Sequence, residues 1–138
     1  MRLKKLRRIY ITHCSAKKDD SLKGTGKKVT PDKLYTAIPI QRFMNECKKK
    51  GVEWAIFSDK YGVVLPNQEI EWYDKHPSKV TEKEFKKLLS DFDQKLKTYD
   101  EIWFYHNPGR FHVLYKRLVS ESKLKDHIRL FTHLREIM

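Results

Sequence analysis

Short runs of β-branched and aromatic residues alternate along this chain with stretches of helical periodicity, and that alternation restricts the fold more than any other feature. Leu6 to Cys14, Val52 to Ser58 and Glu101 to His106 each centre on an apolar run bounded by polar residues, and His127 to Phe131 supplies a shorter fourth strand. Between the first two, Pro39 stands where a first helical turn tolerates a fixed φ and a missing N–H. Ile40, Phe43, Met44 and Cys47 then follow at core-facing spacing, and Lys48, Lys49 and Lys50 precede Gly51 as a favourable helix end. Thr81 and Glu84 form a capping-box pair ahead of the stripe Phe85, Leu88, Leu89, Phe92 and Leu96. A third helix follows the Asn107-Pro108-Gly109 turn, its inward face Phe111, Leu114, Tyr115 and Leu118.

Strand-helix alternation of this kind selects a mainly parallel sheet with helices on both faces, a three-layer α/β/α fold of Rossmann-like type. The expectation is one α/β domain over residues 1–138 with a four-stranded sheet in the order 2-1-3-4. Residues 15–32 and 59–77 are expected to be long loops. The first and third strands then lie side by side, and the loops after Cys14 and His106 face each other across a crevice at the carboxyl edge, where open α/β sheets bind ligands.

Thirty Lys and Arg against eighteen Asp and Glu give a formal net charge of +12. Such a field attracts polyanions, so a nucleobase, a nucleotide or nucleic acid is the expected partner. Cys14 and Cys47 are neither a disulfide framework nor a metal-spaced pair, which fits a reducing cytoplasm. The six histidines show no zinc-type spacing, so neither metal nor cofactor is expected. The basic stretch Met1 to Arg8 is followed by an apolar run of Ile9 to Ile11 only, too short for a signal peptide or a membrane span.

The reactive side chains cluster just beyond the strand ends. Ser15, Lys17 and Lys18 follow the first strand, where a lysine can pair with a phosphate or, if desolvated, act as an amine nucleophile; a solvated basic loop is the alternative. Cys14 is a candidate nucleophile with His13 or His106 as base, or else a packed strand-end thiol. After the second strand come Ser58, Asp59, Lys60, Tyr61 and Gly62, with Asp59 the carboxylate nearest to hand for acid–base work and Gly62 placed for a positive φ or a close approach. After the third come Asn107, Gly109 and Arg110, the arginine at an expected helix start suited to anions.

These segments, His13 to Lys18, Leu34-Tyr35-Thr36, Phe57 to Pro66 and Glu71 to Asp74, resemble a prokaryotic and phage domain family of unknown function with the ordered motifs Cys-Ser/Gly-x-x-Lys, Leu-Tyr and Leu-Ser-x-Lys-Tyr/His-Gly-Leu. The resemblance spans roughly residues 9 to 110 and adds Tyr35 to the ligand-binding candidates. The first motif is also similar to the Pro-Cys-x-x-x-Lys/Arg-Pro stretch of archaeosine synthase, with His13 and Asp19 where that stretch has prolines. That similarity implies a fold like uracil-DNA glycosylase and action on a nucleobase. Two readings stay open: an enzyme of nucleoside or nucleic-acid modification, with Lys17, Asp59 and Cys14 at the reacting centre, and a noncatalytic DNA- or RNA-binding module with a basic surface.

Overall fold

The structure, a computed structural model, describes residues 6–138; the basic stretch at residues 1–5 lies outside it. Along the chain come β1 (Arg8–His13), β2 (Lys28–Val29), α1 (Pro31–Leu34), α2 (Ile38–Lys50), β3 (Trp54–Ser58), β4 (Gly62–Val64), β5 (Ile70–Glu71), α3 (Glu82–Leu96), β6 (Glu101–Tyr105), α4 (Val113–Glu121) and β7 (Ile128–Phe131). The central sheet has five strands in the order β4-β3-β1-β6-β7. β3, β1, β6 and β7 are parallel, whereas β4 runs antiparallel to β3.

The expected four-strand order is corrected by β4. After Ser58 the chain turns back through Asp59, Lys60 and Tyr61 and lays Val63 against Phe57 and Val64 against Ile56. Gly62 permits this with φ of +78°, a conformation that side-chain-bearing residues resist. A Cβ there would stand 2.2 Å from Asp91 Oδ2. That carboxylate accepts the Val63 N–H at 2.8 Å, and Lys95 donates to the Val63 carbonyl at 3.0 Å, so α3 holds the edge hairpin through its polar face. The two expected long loops also carry order. α1 begins at the end of the first, and β2 pairs antiparallel with β5, Lys28 opposite Glu71 and Val29 opposite Ile70.

The period of two along the strands divides the core. Ile9, Ile11, Ala55, Phe57, Ile102 and Phe104 meet the buried stripes of α3 and α4 on one face. Tyr10, Trp54, Ile56 and Trp103 meet Ile40, Phe43, Met44 and Cys47 of α2 on the other. Cys47 is therefore core. The α3 capping box forms as the sequence predicts: Glu84 N–H donates to Thr81 Oγ1 at 3.1 Å and Thr81 N–H to Glu84 Oε1 at 2.9 Å. Among the described residues no helix is long and apolar enough to cross a membrane.

Gly62→Ala should lower the unfolding free energy by about 2 kcal/mol through backbone strain and the displaced Asp91. Thr81→Ala should cost about 1 kcal/mol through the lost cap. Urea denaturation at constant m-value checks both.

Candidate functional site at the carboxyl edge of the sheet

Most of the predicted residues separate into two neighbourhoods on either side of the end of β1. The first is a closed polar cluster between the ends of β1 and β3. Cys14 donates its backbone N–H to the Phe57 carbonyl at 2.8 Å, which brings its thiol to the turn after β3. There the sulfur receives the Asp59 N–H at 3.4 Å and lies 3.5 Å from the Tyr115 hydroxyl. Tyr35 and Tyr73 join hydroxyls at 2.6 Å, and Ser58 Oγ donates to the Tyr73 hydroxyl at 2.9 Å. Ser58 Oγ in turn accepts the backbone N–H groups of Lys60 and Tyr61, fixing the turn into β4.

Two ionisable groups are enclosed with these hydroxyls. Lys18 is 6% exposed; its ammonium donates to the Ala16 carbonyl at 3.3 Å and stands 4.3 Å from the centre of the Tyr73 ring. Asp59 is 3% exposed, and its Oδ1 has no hydrogen-bond partner. Burial pushes the Asp59 carboxyl upward, a shift opposed by its hydrogen bond with the Cys14 thiol and by the charges of Lys18 and Lys75. Burial, and after it the Asp59 charge, push the Cys14 thiol up to about 11. A thiol so placed is protonated at neutral pH and is not a poised nucleophile. Burial likewise raises the phenols of Tyr35, Tyr73 and Tyr115, so all three are neutral hydroxyls.

The second neighbourhood is an open cleft of about 410 Å³ between the ends of β1 and β6. Ser15, Asn107 and Arg110 line it, joined by His13, His106 and Arg42, with Pro39, Ile40, Tyr105 and Leu134 as its apolar side. His13 closes β1, its ring stacked on Tyr115 at 4.5 Å, and its Nδ1 lies 2.8 Å from the Cys14 carbonyl oxygen rather than against the thiol. Burial lowers His13, as does the nearby His106, while the bond to Cys14 works against them; burial also lowers His106.

Several expectations are redistributed. Lys17 is exposed and lines neither neighbourhood, whereas its neighbour Lys18 is buried. Arg110 is not at a helix start: it ends a short 3-10 turn capped by Asn107, whose Oδ1 accepts the Gly109 N–H, and α4 begins later with His112 as its cap. The close approach at Gly62 is to Asp91. Lys60 is exposed, its ammonium 5.2 Å from the Tyr61 ring centre, and Tyr61 donates to the Glu71 carbonyl at 3.4 Å.

Sequence reasoning passed over Arg42 and Tyr73 as site residues. Arg42 reads as the exposed face of a helix, and only the packing of α2 across the sheet brings it to the cleft. Tyr73 carried a signal, an aromatic inside the Glu71-to-Asp74 segment. Among the described residues no group of three or more His, Cys, Asp or Glu side chains is arranged to hold a metal ion.

The fold is of the mixed α/β class, with a five-stranded, mostly parallel central sheet. Within that class, the chain belongs to a family of unknown function, DUF6884, which matches residues 9–119 and so takes in the closed cluster and every named lining residue of the cleft except Leu134. No curated protein and no solved structure matches it.

The Asp59 shift has a definite sign. A carboxyl raised in the folded state binds its proton more tightly there than in the unfolded chain, so it removes stability as pH climbs from the ordinary carboxylate range through the raised folded value. Asp59→Asn should flatten that fall: its stability relative to wild type should be higher at pH 7 than at pH 4. Thermal unfolding across that interval checks this.

Proposed function

We propose that the protein binds a nucleotide, free or within a nucleic-acid strand, in the cleft between β1 and β6 and acts on it as an enzyme of nucleoside or nucleic-acid modification. The observation that carries this reading is the pairing in one cleft of two guanidiniums, Arg42 and Arg110, with an apolar wall that includes Tyr105 and Ile40. Guanidiniums suit phosphate through planar, charge-assisted hydrogen bonds, and an aromatic or apolar wall suits a base face. Ser15 and Asn107 supply neutral polar groups at the rim. The parallel sheet with its ligand edge at the carboxyl ends is compatible with the uracil-DNA-glycosylase-like fold that the archaeosine synthase resemblance implies.

In this reading the buried Cys14, Lys18, Ser58 and Asp59 cluster acts as the frame that sets the two loops flanking β1, and Lys17, exposed beside Ser15, adds charge for a longer polyanion. The noncatalytic reading keeps one observation of its own: exposed lysines such as Lys49, Lys50, Lys86 and Lys87 lie away from the cleft on α2 and α3. A strand held only by such a surface would be gripped without regard to its bases.

Fluorescence titration with nucleoside monophosphates and short single-stranded RNA and DNA at two salt concentrations separates the two. Arg42→Ala and Arg110→Ala should each weaken nucleotide binding about tenfold, the loss of one charge-assisted contact. Lys49→Ala and Lys86→Ala should leave it within about twofold, as expected of screened surface charges. Equal, salt-steep losses at all four positions would instead establish a nonspecific phosphate surface.

A further inference from the structure

The two histidines of the cleft hold their ring nitrogens in different environments. The Cys14 carbonyl can only accept, so the Nδ1 of His13 must carry the proton in its 2.8 Å hydrogen bond. Neutral His13 is thereby fixed in one tautomer, with an unprotonated Nε2 and a ring held flat against Tyr115. His106 has its Nδ1 enclosed and without a partner, which leaves Nε2 as the nitrogen able to reach a ligand. The two rings flank the same side chain, at 6.1 Å and 4.7 Å from the Phe111 ring centre, and both line the cleft with Arg42 and Arg110. His112, by contrast, spends its Nδ1 as acceptor of the Leu114 N–H at the cap of α4.

A base locked in its acceptor tautomer, a second imidazole close enough for its charge to disfavour a second proton on the first, and two guanidiniums beside them supply proton transfer at two points and positive charge nearby. The phosphoryl chemistry that asks for those functions is attack by a hydroxyl already positioned next to the phosphorus, as the 2′-hydroxyl of RNA is. We propose that the cleft cleaves single-stranded RNA by internal transesterification, with His13 as general base, His106 as general acid, and Arg42 and Arg110 on the phosphate oxygens. The proposal rests on the reading of this cleft as a nucleotide site.

The step balances without a further reactant. His13 Nε2 takes the 2′-hydroxyl proton as the O2′–P bond forms. The P–O5′ bond breaks, and the departing O5′ receives the proton of the His106 imidazolium. The products are a 2′,3′-cyclic phosphate and a free 5′-hydroxyl, and proton exchange with water returns both rings to their starting states.

The test uses the full chain and a fluorescently labelled single-stranded oligoribonucleotide, with 2′-O-methyl and all-DNA strands of the same sequence as isosteres. Wild type should cut the RNA into 2′,3′-cyclic phosphate and 5′-hydroxyl ends while binding both isosteres without cutting them. His13→Ala, His106→Ala and His13→Asn, the last offering an amide donor for the Cys14 carbonyl, should lower the cleavage rate at least about 100-fold and still bind the 2′-O-methyl strand. Parallel purification of these variants identifies any contaminating nuclease, and the wild-type comparison of RNA with its 2′-O-methyl form stands even if a variant does not fold. RNA bound in a salt-resistant manner but left intact, or cleavage that persists in the histidine variants, would overturn the proposal and leave the nucleotide-binding reading standing. Failure of wild type to bind any strand or monophosphate in a salt-resistant manner would overturn both.

Discussion

The position of β1 between two parallel neighbours is the constraint on which the rest of this structure depends. Its backbone pairs with β3 on one side and β6 on the other, so no edge of it is left for solvent. The chain leaving its carboxyl end must pass between the loops that follow both partners. One step beyond the strand, Cys14 is drawn to the β3 side by its backbone bond to Phe57. Thr12 is tied to the other side by a hydroxyl bond to the Tyr105 carbonyl at 2.8 Å. Two residues near one strand end thus serve different neighbourhoods, because a backbone N–H reaches β3 from one and a side-chain hydroxyl reaches β6 from the other.

The enclosed cluster is costly to maintain, and its composition shows how the cost is contained. Burying a hydroxyl without a partner costs roughly 1–3 kcal/mol, and here Ser58, Tyr35 and Tyr73 answer one another in a continuous chain. Ser58 also gathers two backbone amides that would otherwise be unanswered inside a tight turn. Lys18 spreads its charge over the Tyr73 face and a carbonyl. Asp59 Oδ1 is the member left without a bond, and burial raises the carboxyl that carries it. Charged and polar groups arranged in this way give little net stability but penalise alternative arrangements of the loops around them.

The strand and helix plan was legible because its signals are local and repetitive. The stripe from Phe85 to Leu96, the Thr81 cap and the run from Ile40 to Cys47 each state a face and a period within one element, and α3 and α2 bury those faces. What escaped was decided by tertiary contact. Val63 and Val64 are too short a run to declare a strand, and become one because Gly62 turns them onto β3 and Asp91 receives them. Lys28 and Val29 pair with residues some forty positions away, a partnership no local pattern encodes. At the site, Lys17 and Lys18 are chemically identical in sequence, and only the antiparallel bridge between Lys18 and Tyr35 decides which of them turns inward. The strand-end positions of Cys14, Asp59 and Asn107 were readable; their division between a sealed cluster and an open cleft was not.

The antiparallel β4 also settles how this sheet ends. By folding back along β3 it occupies that flank, leaving β7 as the outer strand on the opposite side. β7 is four residues long, and its exposed Arg129 and Leu130 stand where another strand would have to approach. A brief, charged margin of this sort discourages unintended strand pairing between molecules. The region matched to the family closes before β7 begins, so the strand that carries the open margin lies outside it. At the β4 edge the Val63 N–H and carbonyl are already taken by Asp91 and Lys95, so growth of the sheet by an added segment would proceed from β7.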